Sequence, residues 1–384
     1  VKRWQLVMAG ALLVSAGVFG ATQVSTVGGG KSPVIATGAE GRLHLAYQGL
    51  QAGSNIFYRH SEDGGHTWSE ETDISNTPDV SHYPSIAAAG ERVAVAWLED
   101  CRDHSGNDVY LVTSPDGGKT WSKAMDVSHT PGHSAHPVVA IGPHGSIHVA
   151  WSDTTEGKKK PDIYYSSSDN GGQSWTHAID VSKTHGVYGP PAMVVEPVSG
   201  LVHIAWADYC SGSNHDIHVI RGMQDSWSKP RDISHTNYRS SHPSLALAAN
   251  NRLCATWLED CTDHPGNDVW YAHSDEFADH FSKPVDLSRT PGHSSDPYVV
   301  SDRQGNVVVS WIDDTRHHKA PDVWQARSSN GGAKFSGSQN LTRTPGKSHE
   351  PHTTLLGGKP VVVWEEVSQG KSWIKVAPVK VPLD

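Results

Sequence analysis

Six carboxylic acids recur in this chain at one spacing: Glu99, Asp153, Asp208, Glu259, Asp313 and Glu366 each stand two residues after a tryptophan. Acids brought together in this way can exchange protons with a substrate, accept hydrogen bonds from hydroxyl groups or hold a cation. They cannot all remain charged without cations, hydrogen bonds or water. Two near-copies, "EDCRDHSGND" at 99–108 and "EDCTDHPGND" at 259–268, add Asp100, Asp103 and His104 in one and Asp260, Asp263 and His264 in the other. Hard oxygens and imidazoles within single short segments suit a divalent cation, Ca²⁺, Cu²⁺ or Zn²⁺, although neither copy matches an EF-hand or a zinc motif. A third series stands immediately before regularly spaced prolines: Tyr83, His136, Pro190, His242, Asp296 and Glu350.

The elements that carry these residues are repeats. An Asp-Val-Ser-like phrase begins at Asp73, Asp126, Asp180, Asp232, Asp286 and Asn340, at spacings of 53, 54, 52, 54 and 54 residues. That period accommodates one four-stranded blade. Segments such as "RVAVAW" and "SIHVAW" alternate with period 2, read as half-buried strands, and end at Tyr47, Trp97, Trp151, Trp206, Trp257, Trp311 and Trp364. Seven aromatics predict an all-β, seven-bladed β-propeller with four-stranded antiparallel blades. Composition agrees: 37 Gly, 23 Pro and 14 Trp beside 4 Met describe short strands, many turns and aromatic packing. The last repeat stops after a third strand, Trp373 to Ala377, and Gln23 to Thr26 resembles Asp126 to Thr130. The two ends are therefore expected to close the ring, with Val379 to Leu383 as the rival fourth strand.

Two segments match Ser-x-Asp-x-Gly-x-Thr-Trp in full, Ser61 to Trp68 and Ser114 to Trp121. Degenerate copies run from Ser168 to Trp175 and Ser328 to Phe335, with Asn170 and Asn330 in the Asp place, and Ser274 to Phe281 is a remnant. Chemically the motif is a self-satisfied turn: the carboxylate accepts N–H bonds of its own loop, glycine supplies positive φ and the aromatic packs between sheets. Over essentially the whole of residues 22–384 the chain resembles the Asp-box (BNR) repeat propellers of the sialidase superfamily. The resemblance implies that the boxes, which join third to fourth strands, lie opposite the functional face. It also implies a sialidase set of three arginines, a Tyr nucleophile assisted by Glu and an Asp acid-base. Where such enzymes carry Arg-Ile-Pro this chain has Lys31-Ser32-Pro33, and no later repeat restores the arginine, which argues against cleavage of sialic acid.

In a closed ring the pre-proline residues and the post-Trp acids are expected to converge on one mouth. The candidate ligand-binding set is Glu99, Asp153, Asp208, Tyr209, Glu259, Asp313, His136, His242, Asp296 and Glu350. Asp100, Asp103, His104, Asp260, Asp263 and His264 form the candidate metal set. Asp108, Asp162, Asp216, Asp268 and Asp322, repeated in five blades, read as turn caps serving the repeat. His44, His148 and His203, three residues before the strand-ending aromatic, read as packed histidines between blades. Cys210 and Cys261, on adjacent blades, are a candidate disulfide; Cys101 is then free, metal-ligating or otherwise paired, and Cys254 is a small core residue.

Lys2 and Arg3 followed by the apolar run Leu6 to Phe19 and the small residues Gly20 and Ala21 read as a secretory signal peptide over 1–21. Its removal takes the formal charge from −10 to −12 through the loss of those two cations, a balance that disfavours nucleic acid. No other stretch reads as a membrane span. Two functions follow as expectations for a secreted or periplasmic protein. The first is glycan binding at the mouth, with Tyr83, Tyr188, Tyr209, Tyr238 and Tyr298 stacking on sugars. Cleavage there would be by a carboxylate pair, or by a lyase in which His and Tyr remove a proton. The second is a non-enzymatic extracytoplasmic scaffold or assembly protein with a His/carboxylate metal site.

Overall fold

The computed structural model describes residues 24–50, 54–101, 106–154, 160–184, 186–209, 214–260, 266–275, 279–315 and 320–378. Seven antiparallel sheets follow one another along the chain, and six of them run in sequence order from an innermost to an outermost strand. The seventh takes Lys347–Leu356, Lys359–Ser368 and Lys371–Ala377 from the end of the chain and its outermost strand, Ser25–Gly29, from the beginning. Ser25 pairs with Val376 and Gly29 with Trp373, so the N-terminal segment completes the last blade as expected. Val379 to Leu383 lies outside the described residues. Innermost strands pack on those of neighbouring blades all round the ring, the first on the seventh included. Helical content among the described residues is confined to short 3₁₀ turns, and none of their helices is long and apolar enough to cross a membrane.

The second strand of each blade differs from the half-buried expectation, because most are covered on both faces. Every residue of Ile147–Asp153 is buried, as are seven of the nine in Arg92–Asp100. The alternation in "RVAVAW" is one of size. Val93, Val95 and Trp97 pack against Ala46, Ile56 and Tyr58 of the first blade. Ala94 and Ala96 point the other way and receive Ile147, Val149 and Trp151 of the third. The pattern repeats as Trp206 meets Ala150 and Trp257 meets Ala205 and Ala207. Each buried Trp contributes on the order of 3 kcal/mol of hydrophobic stabilisation.

Candidate functional site

The strand connections divide between two faces. Starts of inner strands bond to the links between second and third strands: Ser81 N donates to Ser54 O at 2.7 Å, Val187 N to Pro161 O at 2.8 Å and Ser348 N to Pro321 O at 2.9 Å. Asp boxes bond instead to the turns between first and second strands, with Gly117 N donating to Glu91 O at 2.7 Å and Gly331 N to Gly305 O at 2.8 Å. The starts of the inner strands and the boxes therefore occupy opposite ends of the ring.

The boxes are the turns that their sequence implies. Asp63 Oδ1 accepts from His66 N at 3.0 Å and Thr67 N at 2.9 Å, while Thr67 Oγ1 donates to Oδ2 at 2.6 Å. Hydrogen bonds from Thr120 hold Asp116 down at about 2. Asn170 and Asn330 keep the turn with an amide in place of the carboxylate, their Oδ1 atoms accepting from Ser174 N and Lys334 N at 3.0 Å and from Ser168 Oγ and Ser328 Oγ. All of these groups serve their own turn.

The post-Trp acids do not line the mouth. Glu99, Asp153, Asp208, Glu259, Asp313 and Glu366 are between 1% and 6% exposed. Glu99 Oε2 accepts from Trp97 Nε1 and Ser81 Oγ, both at 2.7 Å. Asp153 and Glu259 repeat the arrangement with Trp151 and Ser134 and with Trp257 and Ser240. Asp313 accepts from Ser294 and Thr290, Asp208 lies 3.7 Å from His218, and Glu366 lies 3.8 Å from Lys375. Hydrogen bonds to one oxygen of Glu99, Asp153, Glu259 and Asp313 offset part of the cost of burying these acids. Glu99, Asp153, Glu259 and Asp313 tie the Trp strand to the start of the inner strand, a structural task that sequence spacing could not separate from a catalytic one.

The third-strand aspartates are structural too, but their partner is a different turn. Asp108, Asp162, Asp268 and Asp322 accept from Ser128, Ser182, Ser288 and Thr342 in the outermost strand's Asp-x-Ser phrase. His44 and His148 are buried against Tyr58 and Tyr165 hydroxyls at 2.7 Å, and His203 lies 3.0 Å from Glu196 Oε1; all three are interior as expected, but these partners belong to the same blade rather than to a neighbouring one. Cys254 is buried and accepts from Tyr271 Oη at 3.2 Å, with burial pushing its thiol up to about 11. Cys101 Sγ donates to Asp108 Oδ2 at 3.3 Å, whereas Cys210 and Cys261 lie outside the described residues.

What does reach the mouth is the pre-proline series. Each inner strand breaks register near its start, between Lys31 and Val34 in the first blade, Ala135 and Val138 in the third and Ser241 and Ser244 in the fifth. In every break one residue is left-handed: Ser32 (φ 48°), Tyr83 (48°), His136 (52°), Gly189 (79°), His242 (50°), Asp296 (50°) and Glu350 (49°). Such bulges re-aim a side chain, and non-glycine residues held there store about 1–3 kcal/mol of strain each. The fourth blade corrects the sequence alignment. Its break spans one residue more, Gly189 takes the left-handed place assigned to Pro190, and Pro191 is buried where other blades bury their single proline.

These residues surround an axial cavity of about 330 Å³ whose walls include Tyr83, His242, Asp296 and Glu350, with Tyr298 and His352 deeper in. Tyr83 and His136 stand with ring centroids 6.4 Å apart. Burial lowers the pKa values of His136 and His242, so both imidazoles are neutral bases at pH 7. Burial, reinforced by Asp296 and Glu365, raises that of Glu350. His352 is held down at about 3 by its surroundings; its ring centroid lies 3.9 Å from that of Tyr298, and its Nδ1 accepts from Ile35 N at 3.2 Å. Neutral imidazole, carboxyl groups and aromatic faces can accept hydrogen bonds from hydroxyl groups and stack on a ring.

Tyr209 sits at the rim with Lys160 Nζ 3.5 Å above its ring. Of the candidate metal residues, Asp103, His104, Asp263 and His264 lie outside the described residues. Asp100 is 3.1 Å from His82 Nε2, and Asp260 is exposed. Among the described residues no three His, Cys, Asp or Glu side chains are grouped to hold a metal. A larger hollow, about 620 Å³, lies on the outer flank between the fifth and sixth blades, away from the axis. Its Tyr271–Phe335 contact repeats Tyr58–Trp121 and Tyr165–Trp227 and so belongs to blade packing.

Seven blades, Asp-box turns and an axial mouth at the opposite end define an Asp-box β-propeller. The chain belongs to the family described as BNR repeat-like domain, whose model matches residues 25–309. It is similar in fold to a Dyadobacter fermentans protein of unknown function, with 15% identity, a TM-score of 0.57 and 92% of this chain and 94% of that one covered. A polysaccharide lyase of the ulvan lyase family aligns at 9% identity and a TM-score of 0.63, covering 92% and 95%. The Hadza microbial sialidase Hz136 aligns at 14% and 0.52, and there the chain spans 66% of the other's length. None of the curated proteins matches in sequence.

Proposed function

We propose that this protein is an exported glycan-binding propeller whose site is the axial mouth opposite the Asp boxes. One observation carries the proposal. Internal repeats make each blade a control for the others, and a position serving the repeat keeps its residue type. The post-Trp place holds Glu, Asp, Asp, Glu, Asp and Glu in six blades. A left-handed residue recurs in all seven breaks, the fourth being one residue longer, but the place displays Ser, Tyr, His, Gly, His, Asp and Glu. A constant scaffold with a varied polar and aromatic display supports recognition of an asymmetric polyhydroxylated ligand.

The test is a glycan array followed by titration of the best ligand into the wild-type protein and the Tyr83→Ala and His242→Ala variants. Each substitution is expected to weaken binding about tenfold or more, the loss of one well-placed contact. Assay of released reducing ends on the same ligand reports turnover. Absence of glycan binding, or affinity untouched in both variants, overturns the proposal.

A further inference from the structure

Among the described residues of its wall, the charge of the mouth is one-sided. Asp296 and Glu350 come from adjacent blades and face the same cavity, and Glu350 feels the charges of both Asp296 and Glu365. No lysine or arginine is among the described residues of the cavity wall, and Lys31 acts on Glu350 from an exposed position outside it. His136 and His242 are kept neutral and do not offset the acids. The floor beneath is apolar and aromatic, with Val34, Met193, Leu245 and Tyr298 among its residues. Ser32 and Ser295 donate hydrogen bonds to Glu350 and Asp296 but bring no charge.

We infer that the mouth selects a glycan bearing free ammonium groups, a polymer of 2-amino-2-deoxy sugars, and rejects uronates and sialic acid. This rests on the glycan-binding proposal and adds the ligand's charge to it. An ammonium placed between Asp296 and Glu350 meets two carboxylates and has hydrogens for both, while its pyranose ring rests on the aromatic floor. A sugar carboxylate in that position meets like charge, with no lysine or arginine among the described wall residues to relieve it.

The experiment is calorimetric titration of the whole protein with three oligosaccharides of equal length: a chitosan hexamer, the N-acetylated chitin hexamer and hexagalacturonate. Chitosan is expected to bind about tenfold tighter than chitin, equivalent to one charge-assisted hydrogen bond of about 1.4 kcal/mol. Hexagalacturonate is expected to bind weakest, and added salt to narrow the preference. The Asp296→Asn/Glu350→Gln double variant, checked for an unchanged melting curve, loses the chitosan preference. Hexagalacturonate binding as tightly as chitosan overturns the inference and leaves glycan binding standing. A chitosan preference that survives in the double variant overturns it as general attraction to an acidic protein. Failure of all three sugars overturns this inference, and the glycan array then decides whether the wider proposal falls with it. Heat from Ca²⁺ alone that the double variant abolishes assigns the two acids to a metal ion, and equally overturns it.

Discussion

His44 and His148 show what a histidine costs and contributes when its hydrogen bond joins the second and third strands inside a blade. Each ring gives Nδ1 to a tyrosine hydroxyl at 2.7 Å, and burial holds each at about 4, with Arg42 pushing His44 the same way. In the unfolded chain both return to about 6.5. Because the folded values are depressed, their contribution is complete above pH 6.5 and is lost as pH falls towards 4, on the order of 3 kcal/mol for each. The melting temperature is therefore expected to fall steeply between pH 6.5 and 4. A His148→Gln variant, which keeps a hydrogen-bonding group without a titration in that range, should show a shallower fall, measured by circular dichroism. An identical slope in the variant refutes this account. These histidines were legible because each sits in an apolar strand three residues before the closing aromatic. The acids of the Glu99 series misled because strand alternation places a residue on a face without saying whether a Trp indole and a serine wait there. Their uniformity was the available signal.

Two regularities join neighbouring blades at the level of elements. One is the Trp of each second strand set against small residues of the blade before. The other is the approach of an Asp-box glycine to the previous blade's tyrosine. Gly118, at φ 85°, lies so close that a Cβ there would stand 2.0 Å from Tyr58 Oη, and at Gly332 the same distance to Tyr271 Oη is 1.8 Å. Gly118→Ala combines left-handed strain of about 1–2 kcal/mol with a clash that must displace a buried tyrosine. Its expected cost is about 3 kcal/mol or more, seen as a lower denaturation midpoint. Gly90→Ala, at φ 60° with nothing within 4 Å of the new Cβ, carries the strain alone. Equal losses in the two variants would show that the inter-blade contact carries no weight. The strands, the boxes and their period were readable because turn chemistry is local. Size alternation was read as polar alternation because both have period 2, and only the packed neighbour tells them apart. The left-handed bulge was invisible because a proline steers the residue before it towards extended backbone, which is what a strand start already suggests.

At the level of the molecule, the ring depends on a strand that travels nearly the whole chain to reach its partner. Ser25 and Val376 pair, Lys375 Nζ donates to Thr26 Oγ1 at 2.8 Å, and Val27 packs with the cluster containing Ile374 and Val376. Such a contact adds nothing until the other six blades are in place, and it then locks both ends at once. Without it, Lys371–Ala377 becomes an open edge and the contact between first and seventh blades is the ring's weakest joint. Removal of residues 24–29 is expected to lower the melting temperature by several degrees and expose the last blade first, read as faster amide exchange at Ile374 and Val376. A peptide of those six residues, added in excess, should recover part of the loss by pairing at the vacated edge. An unchanged melting temperature would mean that the inner strands alone hold the ring. In that case the axial mouth, assembled from all seven of them, would not need the N-terminal strand to keep its shape.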